Sequence, residues 1–210
     1  PPVDNRPEDR NCTETPGAFG AGGRIAFVAR SMLLFPTRPR NTAMERLGRS
    51  DDDYMRKALA EAEKAARVGE VPVGAVAVAD GRILARAHNQ VEMLKDATAH
   101  AEMIALTQAS AALGDWRLND VVLYVTKEPC VMCAGAMVNC RLGRLVYGCP
   151  DARAGAAGSA LTVTDHPGLL HRVEVTSGVC AAECADCLQT FFRNRRSEQK
   201  ENGGNGQKTP

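Results

Sequence analysis

Residues 121–139 read VVLYVTKEPCVMCAGAMVN. Val121 to Thr126 is a β-branched and aromatic run that reads as a strand. Val131 to Asn139 is small and apolar over nine residues, long enough for a helix. Pro129 separates the two, ending the strand and opening the helix, so Cys130 and Cys133 fall in the first helical turn. Leu145 to Gly148 is again β-rich. A strand, a helix and a second strand in that order begin an alternating helix and strand pattern.

Upstream of that unit, a helix is expected from about His100 to Ala112. Ahead of it, Val71 to Ala79 and Arg82 to Asn89 are β-like, and Asp80-Gly81 between them is a two-residue hairpin signal. A first helix should begin at Ser50, where a capping hydroxyl is followed by Asp51, Asp52 and Asp53, and Met55, Leu59, Ala62 and Ala66 keep helical spacing to about Val68. Downstream come a weak strand near Val173 to Val175 and a last helix from about Ala181 to Arg196. The expected fold class is α/β, a three-layer α/β/α arrangement with a mixed central sheet of about five strands. Residues 50–196 form the predicted domain. Residues 1–49, rich in Pro, Gly and Arg with no sustained period, read as a disordered extension, and residues 197–210 as a disordered tail.

Bulk composition excludes some classes. The chain has 26 basic and 25 acidic side chains, so affinity for a polyanion must come from local clusters. No stretch approaches the roughly 18 apolar residues of a membrane helix, and the first residues do not read as a secretory signal. A cytoplasmic location is expected, with no membrane partner. Among the eight cysteines, Cys130 and Cys133 form a Cys-x-x-Cys pair, a pattern that in a reducing compartment points to metal or redox chemistry.

His100 stands 30 residues before Cys130, at the start of the preceding helix, and Glu102 follows it by two. Catalytic zinc takes three protein ligands and an open position, and His100 with Cys130 and Cys133 would complete such a set. Glu102 is then either a fourth ligand closing a structural site or a proton shuttle; the order H-x-E followed by P-C-x-x-C is that of zinc deaminases, in which the glutamate is acid and base. Positions i and i+2 on a regular helix point about 200° apart, so both can face one ion only if His100 precedes the helix proper. Thr98 is the candidate cap that would allow it.

From about Ser50 to Arg196 the sequence resembles the bacterial tRNA-specific adenosine deaminases of the cytidine-deaminase-like superfamily. The resemblance is carried by Val71-Pro-Val-Gly-Ala-Val76, Asn89, Thr98-Ala-His-Ala-Glu102, Glu128-Pro-Cys-Val-Met-Cys133, Asp151 with Gly155-Ala-Ala-Gly-Ser159, His166-Pro-Gly168, His171-Arg-Val-Glu174 and Phe191-Phe-Arg-Asn-Arg-Arg196. It implies a zinc-dependent homodimer, one Zn2+ per subunit, that hydrolyses the wobble adenosine in a tRNA anticodon loop to inosine and ammonia. Glu102 would then protonate the ring nitrogen and pass a further proton to the departing amine. Asn89 and the Ala101 amide are implied to bind the base or ribose. Asp151, His166, Phe191 and Arg195 are candidate RNA contacts, although Asp151 could as well cap a turn, and Phe191 and Arg195 could as well pack a helix. Pro150, Leu170 and Cys149 depart from the family pattern in the region expected to hold RNA. Cys180, Cys184 and Cys187 read as buried small side chains. The rival activity is deamination of a free nucleobase or nucleoside such as guanine or cytosine, sharing the same zinc site.

Overall fold

The computed structural model describes residues 49–204. The extension expected over residues 1–49 lies outside the described residues except for Arg49, as do residues 205–210 of the tail.

Helix α1 (Asp51–Arg67) begins where its acids and its cap place it. The Ser50 hydroxyl accepts from the Asp53 amide at 3.3 Å, and the Asp53 carboxylate accepts from the Ser50 amide at 2.9 Å, a reciprocal capping box. Strands β1 (Gly74–Ala79) and β2 (Arg82–His88) follow as an antiparallel hairpin. Its turn residues Asp80 and Gly81 have φ of 50° and 72°, the left-handed pair that matches strand twist. β1 starts three residues later than Val71. Pro72 offers no amide to a neighbouring strand, and the Val73 amide turns back to the Val71 carbonyl at 2.8 Å. At Gly74 the strand lies against α1 so closely that a Cβ would sit 2.0 Å from the Ala58 carbonyl oxygen.

A one-turn helix α2 (Val91–Leu94) was not anticipated; four residues are too few to show a period. After it come α3 (Ala101–Leu113), β3 (Val122–Lys127), α4 (Val131–Asn139), β4 (Arg144–Cys149), β5 (Glu174–Ser177) and α5 (Ala181–Gly204). α5 runs past Arg196, into residues read as tail, because Glu198, Gln199 and Lys200 are good helix formers on a helix already nucleated by packing.

The sheet has five strands in the order β2-β1-β3-β4-β5, with β1 antiparallel to both its neighbours and β3, β4 and β5 parallel. Successive side chains leave opposite faces, and both faces are buried. Ala75, Ala77, Leu123, Val125, Leu145 and Tyr147 meet Ala101, Ala105, Cys133 and Met137 of α3 and α4. Val76, Val78, Tyr124 and Val146 meet Tyr54, Met55 and Ala58 of α1 and Cys184 and Leu188 of α5. These are the three layers expected.

Candidate active site

The parallel strands β3 and β4 end side by side, Lys127 opposite Cys149 in register. In open α/β sheets the crevice at the carboxyl ends of the strands is where ligands bind, and the N-termini of α3 and α4 both open onto it. Cys130 is the N-cap of α4, with extended backbone at φ −74° and ψ 175°, and Cys133 lies within the first turn.

His100 is the N-cap of α3, at φ −73° and ψ 151°. This corrects the expectation that Thr98 caps the helix: the Thr98 amide and hydroxyl both donate to Asp96 Oδ1, at 2.8 and 2.7 Å, closing a separate turn. The consequence is the same but more direct. Because His100 is not itself helical, its ring and the Glu102 carboxylate escape the opposition that a regular helix would impose on them.

The three donors of the expected ligand set converge. The sulfurs of Cys130 and Cys133 are 3.7 Å apart, and His100 Nδ1 lies 3.7 Å from the first and 3.5 Å from the second. Tetrahedral zinc, with Zn–S of about 2.3 Å and Zn–N of about 2.05 Å, requires edges of about 3.75 Å between sulfurs and about 3.55 Å between sulfur and nitrogen. The donor set therefore fits zinc in type and in spacing. Among the described residues it is the one group of three such side chains close enough to share an ion, and Glu102 is not part of it.

Electrostatics at the site are uneven. Cys130 is drawn down to about 3 by its hydrogen bonds with Cys133 and His100, against a desolvation that acts the other way. The bond it shares with Cys130, together with burial, pushes Cys133 up. His100 is raised, chiefly by the Cys130 sulfur and secondarily by Glu102. Glu102, only 4% exposed, is raised because its charged form loses water, while His100 pulls in the opposite direction. A buried carboxyl held above its ordinary range beside a cation site is placed to take up and release a proton.

Around this centre the loops are held by acids that carried no role in the sequence. Glu128, 2% exposed at the end of β3, accepts from the amides of Asp151 (2.9 Å), Ala157 (3.1 Å) and Ser159 (3.0 Å). Burial favours its neutral form, but those amides and the Ser159 hydroxyl outweigh it and leave the carboxyl below its usual range. Gly155 lies so close that a Cβ there would meet the Glu128 carboxyl carbon at 2.3 Å. An acid wedged between an apolar strand and a proline was the available signal for this role. Glu70, 1% exposed just after α1, binds Asn89 and had no signal: nothing in its neighbours marks it.

The remaining candidates fall in different places. Asn89 is buried at the end of β2, and the next residue's amide bonds the carbonyl of Ala99, immediately before His100. Ala101 opens α3, among the amides a helix leaves without internal partners. The Asp151 carboxylate is occupied by Lys127 and by the amides of Arg153 and Ala154, which is the turn-capping alternative. His166 is exposed, and its Nδ1 accepts from the Gly168 amide at 3.1 Å. Phe191 and Arg195 lie on α5, packed on the sheet face opposite α3 and α4, where they line an open groove of about 940 Å³ between α1 and α5. Arg195 lies over the Phe191 ring at 5.6 Å and donates to the Gly69 carbonyl at 3.1 Å.

Of the three departures, Leu170 is fully exposed and Pro150 exposed, but Cys149 is buried against α5, its thiol donating to the Thr126 carbonyl. Its place on the face of β4 that meets α5 makes it core and not surface, a correction to its placement among residues that hold RNA. Cys184 is likewise buried, and Cys180 and Cys187 are half-buried.

The MafB19-like deaminase family matches residues 49–196. The tRNA-specific adenosine deaminase of Bacillus subtilis (strain 168) is 46% identical over 150 residues, covering 71% of this chain and 93% of the relative. This chain belongs to the tRNA-specific adenosine deaminase family. A solved structure from work on A-to-I editing by tRNA:A34 deaminases at the wobble position of transfer RNA matches with TM-score 0.63 at 44% identity, over 64% of this chain and 98% of that one. A guanine deaminase from Nitrosomonas europaea shares the fold at TM-score 0.60 and 23% identity, over 70% of this chain and 87% of its own. In this deaminase, then, the converging imidazole and sulfurs with a buried carboxylate beside them occupy the position at which the fold binds ligands.

Proposed function

We propose that this chain hydrolyses the wobble adenosine of a tRNA anticodon loop to inosine and ammonia. The observation that carries the reading is the match of the His100, Cys130 and Cys133 donor triangle to a zinc tetrahedron with Glu102 buried beside it, in a chain of this family. Zinc held there would supply Lewis acidity, lowering the pKa of a water to about 7. Glu102 accepts a proton as oxygen bonds to carbon 6 and delivers it to ring nitrogen 1. It then carries the hydroxyl proton to the amine, which leaves as ammonia while the carbonyl of inosine forms. The free amides at the start of α3, Ala101 first, and the Asn89 side chain hold the base. An unpaired anticodon base needs no duplex to be opened, so the cost of flipping it is small.

The finer parts of the proposal are one zinc per subunit, a homodimer, a cytoplasmic location and a catalytic domain over residues 50–196; family membership supports them. No helix among the described residues is long and apolar enough to cross a membrane. The test is incubation of the purified protein with an anticodon stem-loop carrying wobble adenosine and, in parallel, with free guanine, cytosine and adenosine. Inosine in the RNA is the expected product. Ammonia from a free base with the RNA unchanged overturns the proposal in favour of a nucleobase deaminase.

A further inference from the structure

We propose that Glu70 is a positioning residue that fixes the direction of the Asn89 carboxamide, so that Asn89 turns its oxygen, an acceptor, toward the substrate. The inference deepens the reading of Asn89 as a substrate contact and rests on it. Glu70 is 1% exposed and Asn89 7% exposed, and Asn89 Nδ2 donates to Glu70 Oε2 at 3.0 Å. The carboxyl oxygens of Glu70 accept from the Asn89 Nδ2 and from the Met93 amide, so the nitrogen end of the Asn89 amide is the end that faces Glu70. The carboxamide oxygen is left pointing elsewhere. It has no donor on the protein among the described residues and is not sealed from solvent.

Glu70 itself is anchored. Its amide bonds the Ala65 carbonyl at 3.0 Å at the end of α1, and its second oxygen accepts from the Met93 amide of α2 at 2.7 Å. Asn89 is anchored on its own account through its amide to the Val73 carbonyl at 3.0 Å, and Gln90 bonds Ala99 at 3.0 Å, next to His100. With the backbone held independently, what the Glu70–Asn89 bond adds is the rotation of one side-chain amide.

The test is a double-mutant cycle with Glu70→Gln and Asn89→Ala, assayed on the anticodon stem-loop with wobble adenosine, with zinc content and circular dichroism recorded for each variant. Glutamine keeps the shape but can donate, so it no longer dictates which end of the Asn89 amide faces it. The expected result is a loss of about tenfold or more in kcat/KM for each single variant, and a double variant within about twofold of Asn89→Ala alone. Multiplying losses, or a Glu70→Gln variant as active as the parent, would overturn the role of Glu70 while leaving that of Asn89 standing. An Asn89→Ala variant with full activity removes the substrate contact and the positioning role together. Should Glu70→Gln fail to fold, Glu70→Asp, too short to reach Asn89 from the same backbone, enters the cycle with the same outcomes.

Discussion

Glu102 and His100 are two residues apart, and the role proposed for them together depends on a backbone break between them. The extended N-cap conformation of His100 turns its imidazole to the sulfurs while Glu102, on the first turn of α3, stays buried and outside the ligand triangle. Replacing Glu102 by Gln keeps volume and hydrogen bonding but removes the titrating group. Turnover should fall by about 10² to 10⁴, with one zinc per chain still bound by metal analysis. Loss of zinc in step with activity would show that the carboxylate is a ligand after all. At this scale the residue types and their spacing were legible in the sequence, since ligand chemistry restricts them to a few kinds. The uses of Glu70 and Asp151 were not: whether an acid meets substrate, caps a turn or steers a neighbour depends on which segments fold against it.

Between elements, α1 meets the sheet through an ionic contact as well as through its apolar face. Arg144 of β4 donates to both oxygens of Asp51, at 3.2 and 2.7 Å, and Tyr124 of β3 donates to Asp51 at 2.8 Å. The Arg144 hydrogen bond is the main cause holding the Asp51 carboxyl below the ordinary carboxylate range. A carboxyl whose folded pKa is depressed contributes stability above its unfolded pKa and loses it as pH falls through that value toward the lower one. Asp51→Asn should therefore cost about 1 kcal/mol near pH 7, a figure kept small because both side chains are about a third exposed. Denaturant titrations near pH 7 and near pH 3 should show the gap from the parent narrowing at the acid end. A gap that does not change with pH would mean that packing, not charge, joins α1 to β4. A second element-scale prediction concerns the loop after β4. Gly155→Ala has nowhere to place its methyl except against Glu128, and it should lower activity about tenfold or more with the zinc site intact. Near-normal kcat/KM would show that the Glu128 loop does not shape the site.

Among the described residues as a whole, two apolar cores flank the sheet, and the His100, Cys130 and Cys133 triangle lies at the edge of one of them, with Cys133 belonging both to the triangle and to that core. Chelation should abolish activity and lower the melting temperature by about 5–10 °C, the shift expected for losing a moderately tight ligand from a domain of this size. The helical circular dichroism should persist at room temperature. Collapse of that signal on chelation would make the ion a structural element.

The strands, the helices and their order were readable from the chain, because period, turn chemistry and caps act over a few residues; so were the three side chains that converge at His100, Cys130 and Cys133, because few residue types make such a cluster. The β-rich runs and the Pro129 break implied a mixed sheet, and a sheet with both faces buried reads as unbroken apolar runs. Folding alone decided that Cys149 is core, that Phe191 and Arg195 lie on the face away from the ligands, and that the Asn89 amide is held by an acid 19 residues before it. Those outcomes depend on contacts between segments far apart in the chain, and such contacts leave no local pattern for a sequence to display.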